Sequence, residues 1–254
     1  MNNLFAAVGQ WENSLRRFQC LDRLALKLIA LVCMTIDHAA VLLVSGSWYW
    51  PMRYIGRIAF PIYCFLLVEG YAHTRSRGNY LARLLAFFLI SEVPFDLAFR
   101  HQWFNPSYQN VMLTLAIGLV TVWGADRCPR WLEGRTGRPL PRWGEALLAA
   151  VIAIAGYCAG ELFMTDYAGG GVLMILAFYL LRQHPICLTA ALAFLMYWFF
   201  GQVELPGLLA LIPIFLYNGR PGKRLPGVVG RYGFYAYYPM HLTVLVLISC
   251  AIAG

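Results

Sequence analysis

Long apolar runs, separated by short basic segments, constrain the fold of this chain more than any other feature. Of its 254 residues, 60% are hydrophobic and 13% are charged, whereas a soluble domain of this size carries about 25% charged residues. The mean hydropathy is +0.61, and several runs reach the roughly 20 residues that a helix needs to cross a bilayer. The sequence therefore predicts an all-α, polytopic membrane helix bundle.

The apolar runs divide the chain into a short interfacial segment and one bundle. Residues 1–23 are expected to form a partly amphipathic segment on the cytoplasmic membrane surface, and residues 24–254 a single transmembrane unit. For residues 185–217, a re-entrant pair of short helices is an alternative to two full spans. The nine predicted spans are 24–46, 54–71, 79–98, 109–124, 143–162, 168–182, 185–201, 203–217 and 232–253.

The basic residues are concentrated in the loops on one side of the predicted bundle. Most of the 20 lysines and arginines flank the side of the N-terminus, and Arg53, Arg57 and Arg100 lie on the other side. Because cytoplasmic loops carry an excess of basic residues, we expect a cytoplasmic N-terminus and a periplasmic C-terminus in a bacterial inner membrane. The net charge of +8 follows from these loops and does not indicate a nucleic-acid partner. Membrane lipid, attracted to the arginine-rich loop 125–142, is an expected partner.

The cysteine and glycine patterns do not indicate a metal site, a disulfide framework or a nucleotide-binding loop. The seven cysteines are scattered without Cys-x-x-Cys spacing, and a free cysteine inside an apolar run behaves as a small hydrophobic residue. The run AGGG at 168–171 lacks the context of a Walker or Rossmann loop, and the sequence has no His-Glu-x-x-His. We therefore expect no metal.

Residues 27–43, KLIALVCMTIDHAAVLL, place ionisable side chains inside an apolar helix. Lys27 and His38 are separated by three helical turns plus roughly 20°, which puts them on one face about 16 Å apart. Ionisable residues within spans are costly and are functional candidates by default. His38 could act as a general base near neutral pH, and Asp37 could either orient its ring or accept from a neighbouring helix. Lys27, at the cytoplasmic end, suits the phosphates of an anionic ligand.

Two carboxylates and an arginine fall at a predicted depth similar to that of His38. Glu92 and Asp96 lie four positions apart on one predicted helix, and Arg57 lies near the outer end of another. As functional residues, they would share a layer of the bundle with His38. As structural residues, one of the two carboxylates would pair with Arg57 or Arg53 to hold helices together. The sequence leaves both interpretations open.

Two further ionisable residues lie in predicted spans. His241 is the tenth residue of the last span and falls in the layer of His38, although a lone histidine of this kind is more often a satisfied core residue. Glu69 lies at the cytoplasmic end of its span. We expect it to pair with Arg75 or Arg83 rather than to take part in chemistry.

Three stretches of the sequence closely resemble the TraX family of conjugative-transfer membrane proteins, which includes TrbP. They are LKLIALVCMTIDHAAVLL, RYIGRIAFPIYCFLLVEGYAHTRSRGNYLARLLAFFLISEVPFDLAF and FYAYYPMHL. The resemblance is strong over residues 24–124, good over 232–243 and weak between 125 and 230. The Gly-Arg-x-Ala-Phe-Pro and Ser-Glu-x-Pro-Phe-Asp runs carry it most specifically.

The resemblance implies a membrane-bound acyltransferase that acetylates the N-terminal amine of a conjugative pilin, with acetyl-CoA as the donor. The family is also similar to large membrane acyltransferases in which a basic residue precedes the active histidine by a ten-residue spacer, as Lys27 precedes His38. The donor would then enter from the cytoplasm beside Lys27. The implied catalytic candidates are His38, Asp37, His241, Glu92 and Asp96, and the implied donor-binding candidates are Lys27, Arg57 and Arg83.

Alternatives to acetyl transfer stay open at this point. TrbP-type members accompany systems whose pilins mature by cyclisation, so the enzyme could instead cyclise or otherwise process a pilin. A transporter would use the same histidines and carboxylates as a proton relay, and an assembly factor would use them only as contacts between helices. An enzyme is expected to lose turnover in His38→Ala without unfolding.

Overall fold

The chain is described by a computed structural model over residues 18–223 and 226–253, and all of its regular structure there is helical. The predicted all-α class is confirmed. Of the predicted interfacial segment 1–23, residues 1–17 lie outside the described residues. The ten α-helices of the described part are α1 (Arg23–Leu43), α2 (Tyr49–Gly56), α3 (Ala59–His73), α4 (Arg77–Arg100), α5 (Val111–Thr136), α6 (Arg142–Leu162), α7 (Ala168–Leu180), α8 (Pro185–Leu195), α9 (Leu211–Phe215) and α10 (Gly227–Ala253).

Five helices in the described part of the chain are long and apolar enough to cross a membrane, so the prediction of nine spans is wrong. They are Arg23–Leu43, Tyr49–His73, Val111–Thr136, Arg142–Leu162 and Gly227–Ile252. The apolar runs between residues 168 and 217 instead form shorter helices, Ala168–Leu180, Pro185–Phe200 and Gln202–Phe215. The run 79–98 lies within α4, which carries three charged residues in its interior and is not among the five. The structure does not support the sidedness predicted for the two termini.

Three long helices begin where a polar side chain caps their first turn. Asp22 accepts a hydrogen bond from the backbone N–H of Ala25 (2.8 Å) at the start of α1. Asn110 accepts from the N–H of Met112 (3.0 Å) at the start of α5, and Ser76 caps α4 in the same way. Each cap satisfies a donor that the first turn of a helix leaves free. The caps therefore define where the helices that carry the site residues begin.

Helices α1 and α10, from the two ends of the chain, run side by side and parallel. The hydroxyls of Thr35 and Tyr237 lie 2.8 Å apart, and ring nitrogens of His38 and His241 lie 2.6 Å apart. Helix α10 also packs against α4, and α1 packs against α2 and α3. The second half of α1 therefore lies against the middle of α10.

The segment between α8 and α9 is irregular and packs against the start of the α2–α3 region. A π-helical turn ends at Gly201, whose φ of +75° favours glycine. The 3₁₀ helix Gln202–Ala210 follows and contacts α2 and α3. A Cβ on Gly207 would lie 3.0 Å from the carbonyl oxygen of Arg57, so glycine permits this close approach. The approach brings Glu204 to the Arg57 side chain.

Candidate active site

Two histidines from opposite ends of the chain meet inside the bundle. Nδ1 of His38, on α1, lies 2.6 Å from Nε2 of His241, on α10, and the rings lie edge to edge with 4.9 Å between centroids and 13° between planes. His241 is buried, whereas His38 is partly exposed. Phe99 and Tyr238 meet the His38 ring edge to face, with centroids 5.4 and 6.2 Å away. Aromatic side chains therefore enclose a hydrogen-bonded imidazole pair.

The hydrogen bonds assign one proton to each neutral ring. Nδ1 of His241 lies 2.9 Å from the carbonyl oxygen of Tyr237, which can only accept, so this nitrogen carries the proton. Nε2 of His241 is then an acceptor, and Nδ1 of His38 donates to it. This leaves Nε2 of His38 unprotonated. A free imidazole lone pair is what a general base requires.

Tyr237 packs on the ring of His241 and also contacts α1. Its ring stacks on the His241 ring with 5.1 Å between centroids and 8° between planes. Oγ1 of Thr35 donates to the carbonyl oxygen of Leu31 (2.8 Å), so the Tyr237 hydroxyl is the donor in its 2.8 Å contact with Thr35. This contact fixes the register of α10 on α1, and with it the meeting of the two histidines.

Asp37 adjoins His38 in the sequence but contacts other partners. Its carboxylate accepts from Arg53 (2.7 Å) and, through both oxygens, from Arg57 (2.8 and 3.0 Å). Arg57 also pairs with Glu204 of the 3₁₀ helix. Of the two roles predicted for Asp37, the structure shows acceptance from a neighbouring helix. Asp37 makes no hydrogen bond to the His38 ring, so it acts on the histidine only through the packing of α1 against α2.

Neither Glu92 nor Asp96 pairs with Arg57 or Arg53, so that structural prediction is wrong. Oε1 of Glu92 accepts from the backbone and side-chain nitrogens of Asn110 (3.1 and 2.6 Å). Oδ2 of Asp96 accepts from the backbone N–H of Asn105 (2.7 Å). The reason is that the arginines of the α2 region are already engaged by other carboxylates. Glu92 and Asp96 are held by neutral donors instead.

Cationic side chains line a cavity at the other end of α1 from His38. The cavity measures about 320 Å³, and Lys27 and Arg83 line it among several aromatic rings. Nζ of Lys27 lies 4.5 Å from the ring centroid of Phe234 on α10, so Lys27 and His38 both face α10, which agrees with the shared face of α1 that their spacing predicted. Arg57 does not line this cavity. Two of the three predicted donor-binding residues therefore lie together and the third lies elsewhere.

A second cavity, of about 330 Å³, adjoins the first. Arg23 and Lys27 line both cavities, and Lys223 lines the second. Lysine and arginine side chains of this kind bind phosphate groups through charge-assisted hydrogen bonds. The two adjoining cavities therefore suit an anionic ligand with more than one phosphate.

Glu69 lies close to these cavities and partly balances their charge. It pairs with Arg23 (3.2 Å) and accepts a hydrogen bond from the hydroxyl of Tyr217 (2.8 Å). The predicted pairing with Arg75 or Arg83 is therefore wrong. The prediction failed because Arg23, at the start of α1, and Tyr217, after α9, pack against Glu69 from segments far away in the sequence.

Glu204 and Tyr237 contribute to the site but were not singled out in the sequence. Glu204 lies at the start of an apolar run, where an ionisable residue is a functional candidate by default, so a signal was present. Tyr237 carried no such signal, because its role depends on the helix that packs against α10. Within the described ranges, no group of three or more His, Cys, Asp and Glu side chains could hold a metal ion.

These helices and this histidine pair define a polytopic helical membrane protein with a polar centre buried inside its bundle. The chain belongs to the TraX protein family, whose profile matches residues 22–249. The resemblance seen in the sequence is confirmed, and the match extends through the central region where the resemblance was weak.

Relatives of this chain cover most of its length. The probable fimbrial assembly protein FimC, serogroup H1, of Dichelobacter nodosus is 30% identical over 243 aligned residues, which cover 87% of this chain and 92% of the relative. A Protein TraX of Escherichia coli is 25% identical over 261 residues, covering 98% and 95%. The Protein TraX of Escherichia coli strain K12 is 28% identical over 178 residues, covering 68% and 62%. No solved structure matches this chain significantly.

Proposed function

We propose that this protein is a pilin-maturation enzyme of the bacterial inner membrane, which transfers an acetyl group from acetyl-CoA to the N-terminal amine of a pilin. Membership of the TraX family, and a relative named as a probable fimbrial assembly protein, support a role with pili or fimbriae. The observation that carries the proposal is the unprotonated Nε2 of His38, which His241 holds in the tautomer that a base requires.

The two adjoining cavities are the proposed binding site for acetyl-CoA. The phosphates of this donor are anionic, and arginine and lysine are the side chains that bind phosphate best. The cations that line the cavities are Arg23, Lys27, Arg83 and Lys223.

The distance between the cavities and the base suits the shape of the donor. Lys27 and His38 are eleven residues apart on one helix, a rise of about 16 Å. Coenzyme A carries its thioester at the end of a long flexible arm that extends from the phosphates. A donor whose phosphates lie beside Lys27 can therefore direct its acetyl group along the face shared by α1 and α10 toward His38.

The proposed reaction is a direct transfer with His38 as the base. Nε2 of His38 takes a proton from the acceptor ammonium, and the neutral amine nitrogen attacks the thioester carbon. The N–C bond forms as the C–S bond breaks, and the second amine proton passes to the departing thiolate. His241 stabilises the imidazolium by accepting from Nδ1 of His38. A positioned base of this kind contributes about 10²–10⁴-fold to a rate.

The experiment that tests this proposal is the intact mass of the cognate pilin after co-expression. The pilin is produced with the wild-type protein, with His38→Ala, with the control His101→Asn, and alone. His101 is exposed and adopts a left-handed conformation that asparagine tolerates. We expect an acetyl mass gain with the wild type and with His101→Asn, and none with His38→Ala at equal membrane abundance.

Other outcomes separate the alternatives. A loss of water from the pilin that depends on His38 would replace acetyl transfer by cyclisation while keeping a maturation enzyme. An unchanged pilin mass in all samples would contradict pilin modification and favour a transporter or an assembly factor.

A further inference from the structure

Two buried carboxylates on α4 have no cationic partner among the residues that the structure describes. Elsewhere in the bundle, Asp37, Glu204 and Asp126 each pair with an arginine. Glu92 and Asp96 instead accept hydrogen bonds from neutral amide and backbone groups. When these carboxyl groups are ionised, no described side chain balances their negative charge.

Each of these two carboxylates also presents an oxygen without a hydrogen-bond partner. They are Oε2 of Glu92 and Oδ1 of Asp96, and the two residues are 6% and 0% exposed. A buried carboxylate oxygen that has lost its water and gained no donor is unfavourable. Because the residues are four positions apart on a helix, both lie on one face of α4, one turn from each other. A ligand that satisfied both oxygens would need positive charge and more than one donor.

The same face of α4 leads to the histidine pair. Phe99 lies three positions after Asp96, on the same face, and meets the His38 ring with 5.4 Å between centroids. Helix α4 also packs along α10, which carries His241. The unpartnered oxygens therefore lie within about two helical turns of the contact between α4 and His38.

We propose that Glu92 and Asp96 form the binding site for a primary ammonium group, which is the acceptor group of the reaction proposed above. The identity of this group as the acceptor rests on that proposed function. A primary ammonium has one positive charge and three N–H donors. Two of these donors match the two unpartnered oxygens, and the third remains for a further acceptor. A quaternary ammonium has the charge without the donors, so the site selects primary amines.

The competing interpretation is that both residues are neutral carboxylic acids that only hold α4 against the start of α5. The two interpretations differ in what isosteric amides do. Glu92→Gln and Asp96→Asn keep the oxygen that accepts from the asparagines and remove the negative charge. If the two residues are only structural, these substitutions should not change ligand binding. If the residues bind an ammonium group, the substitutions remove its counter-charge and should weaken binding.

Steady-state kinetics of the full-length protein in lipid nanodiscs test the site. The substrates are acetyl-CoA and a peptide with the N-terminal sequence of the mature pilin. Glu92→Gln and Asp96→Asn should each raise the KM for the peptide about 10- to 100-fold, as loss of a charged hydrogen-bond partner predicts, with the KM for acetyl-CoA unchanged. The matched control is Glu145→Gln, exposed in the first turn of α6, which should change neither constant. An unchanged peptide KM in both amide variants would overturn the proposal.

A binding measurement separates failure of this inference from failure of acetyl transfer. Hexylammonium should raise the thermal unfolding temperature of the wild-type protein, and its N-trimethyl analogue should not. Suppose that the wild type acetylates no pilin, and that hexylammonium stabilises the wild type but neither of the two amide variants. The ammonium site is then supported although acetyl transfer is not. If the two probes stabilise the wild type equally, or neither does, the site is refuted. This comparison needs no variant, so it decides the question even where a substitution prevents folding.

Discussion

Nδ1 of His38 lies 2.6 Å from Nε2 of His241, although 203 positions separate the two residues in the chain. The carbonyl oxygen of Tyr237 fixes the proton of His241, and His241 in turn fixes the proton of His38. The partner of the proposed base is therefore a second histidine on a distant helix. The adjacent carboxylate, Asp37, is engaged by two arginines instead.

The histidine pair predicts that His241 and His38 act as a unit. In His241→Phe the ring volume is kept but the acceptor for Nδ1 of His38 is lost, so the rate of acetyl transfer should fall at least about tenfold. The double variant with His38→Ala should be no slower than His38→Ala alone, because residues that act together are not additive. Initial rates in nanodiscs measure this. Independent, multiplicative losses would show that His241 acts elsewhere.

The cationic cavities predict a specific effect of Lys27. Lys27→Ala removes a phosphate partner and should raise the KM for acetyl-CoA about tenfold or more, with kcat retained, and Lys27→Arg should restore the KM. The matched control is Arg135→Ala, because Arg135 is exposed at the end of α5 and lines neither cavity. Kinetics at varied acetyl-CoA measure the effect. An equal change in the control would indicate a general effect of charge.

The partly buried ion pairs of Asp37 predict that this residue stabilises the bundle. Asp37→Ala leaves Arg53 and Arg57 without this carboxylate, and removing one partner of a buried pair costs about 3–5 kcal/mol. We expect the free energy of unfolding in detergent to fall by that order. Arg57→Ala should cost less in the Asp37→Ala background than in the wild type, since the pair is then already broken. Equal costs in the two backgrounds would rule out a stabilising pair.

The close contact between α6 and α7 predicts that one glycine cannot be replaced. A Cβ on Gly160 would lie 2.6 Å from the backbone oxygen of Ala168, whereas a Cβ on Gly124 would meet its nearest atom at 3.8 Å. Gly160→Ala must therefore push α7 away and should lower the thermal unfolding temperature. Gly124→Ala should leave it unchanged or raise it, because alanine favours a helix by about 1 kcal/mol. Equal unfolding temperatures for the two variants would contradict the packing described here.

The helical class and the position of the first helix could be predicted from the sequence, because apolar runs and helix periodicity involve residues close along the chain. The predicted span 24–46 corresponds to α1 (Arg23–Leu43). Between residues 168 and 217 the predicted segments correspond to the helices Ala168–Leu180, Pro185–Phe200 and Gln202–Phe215, but these helices are too short to count as spans. Hydropathy measures how apolar a run is and not the length of the helix that it forms.

The candidate site, too, could be predicted only in part from the sequence. The spacing of Lys27 and His38 was enough to place them on one face of α1, since 3.6 residues per turn is a property of the helix itself. Other features depend on which helices pack side by side and in what register. These features are the contact of both residues with α10, the hydrogen-bond partner of His38 and the ion-pair partners of Asp37. Side-chain contacts between segments far apart in the chain, such as Thr35 with Tyr237, determine this packing. Only the packed bundle could therefore reveal the histidine pair, and the two carboxylates that lack a cation among the described residues.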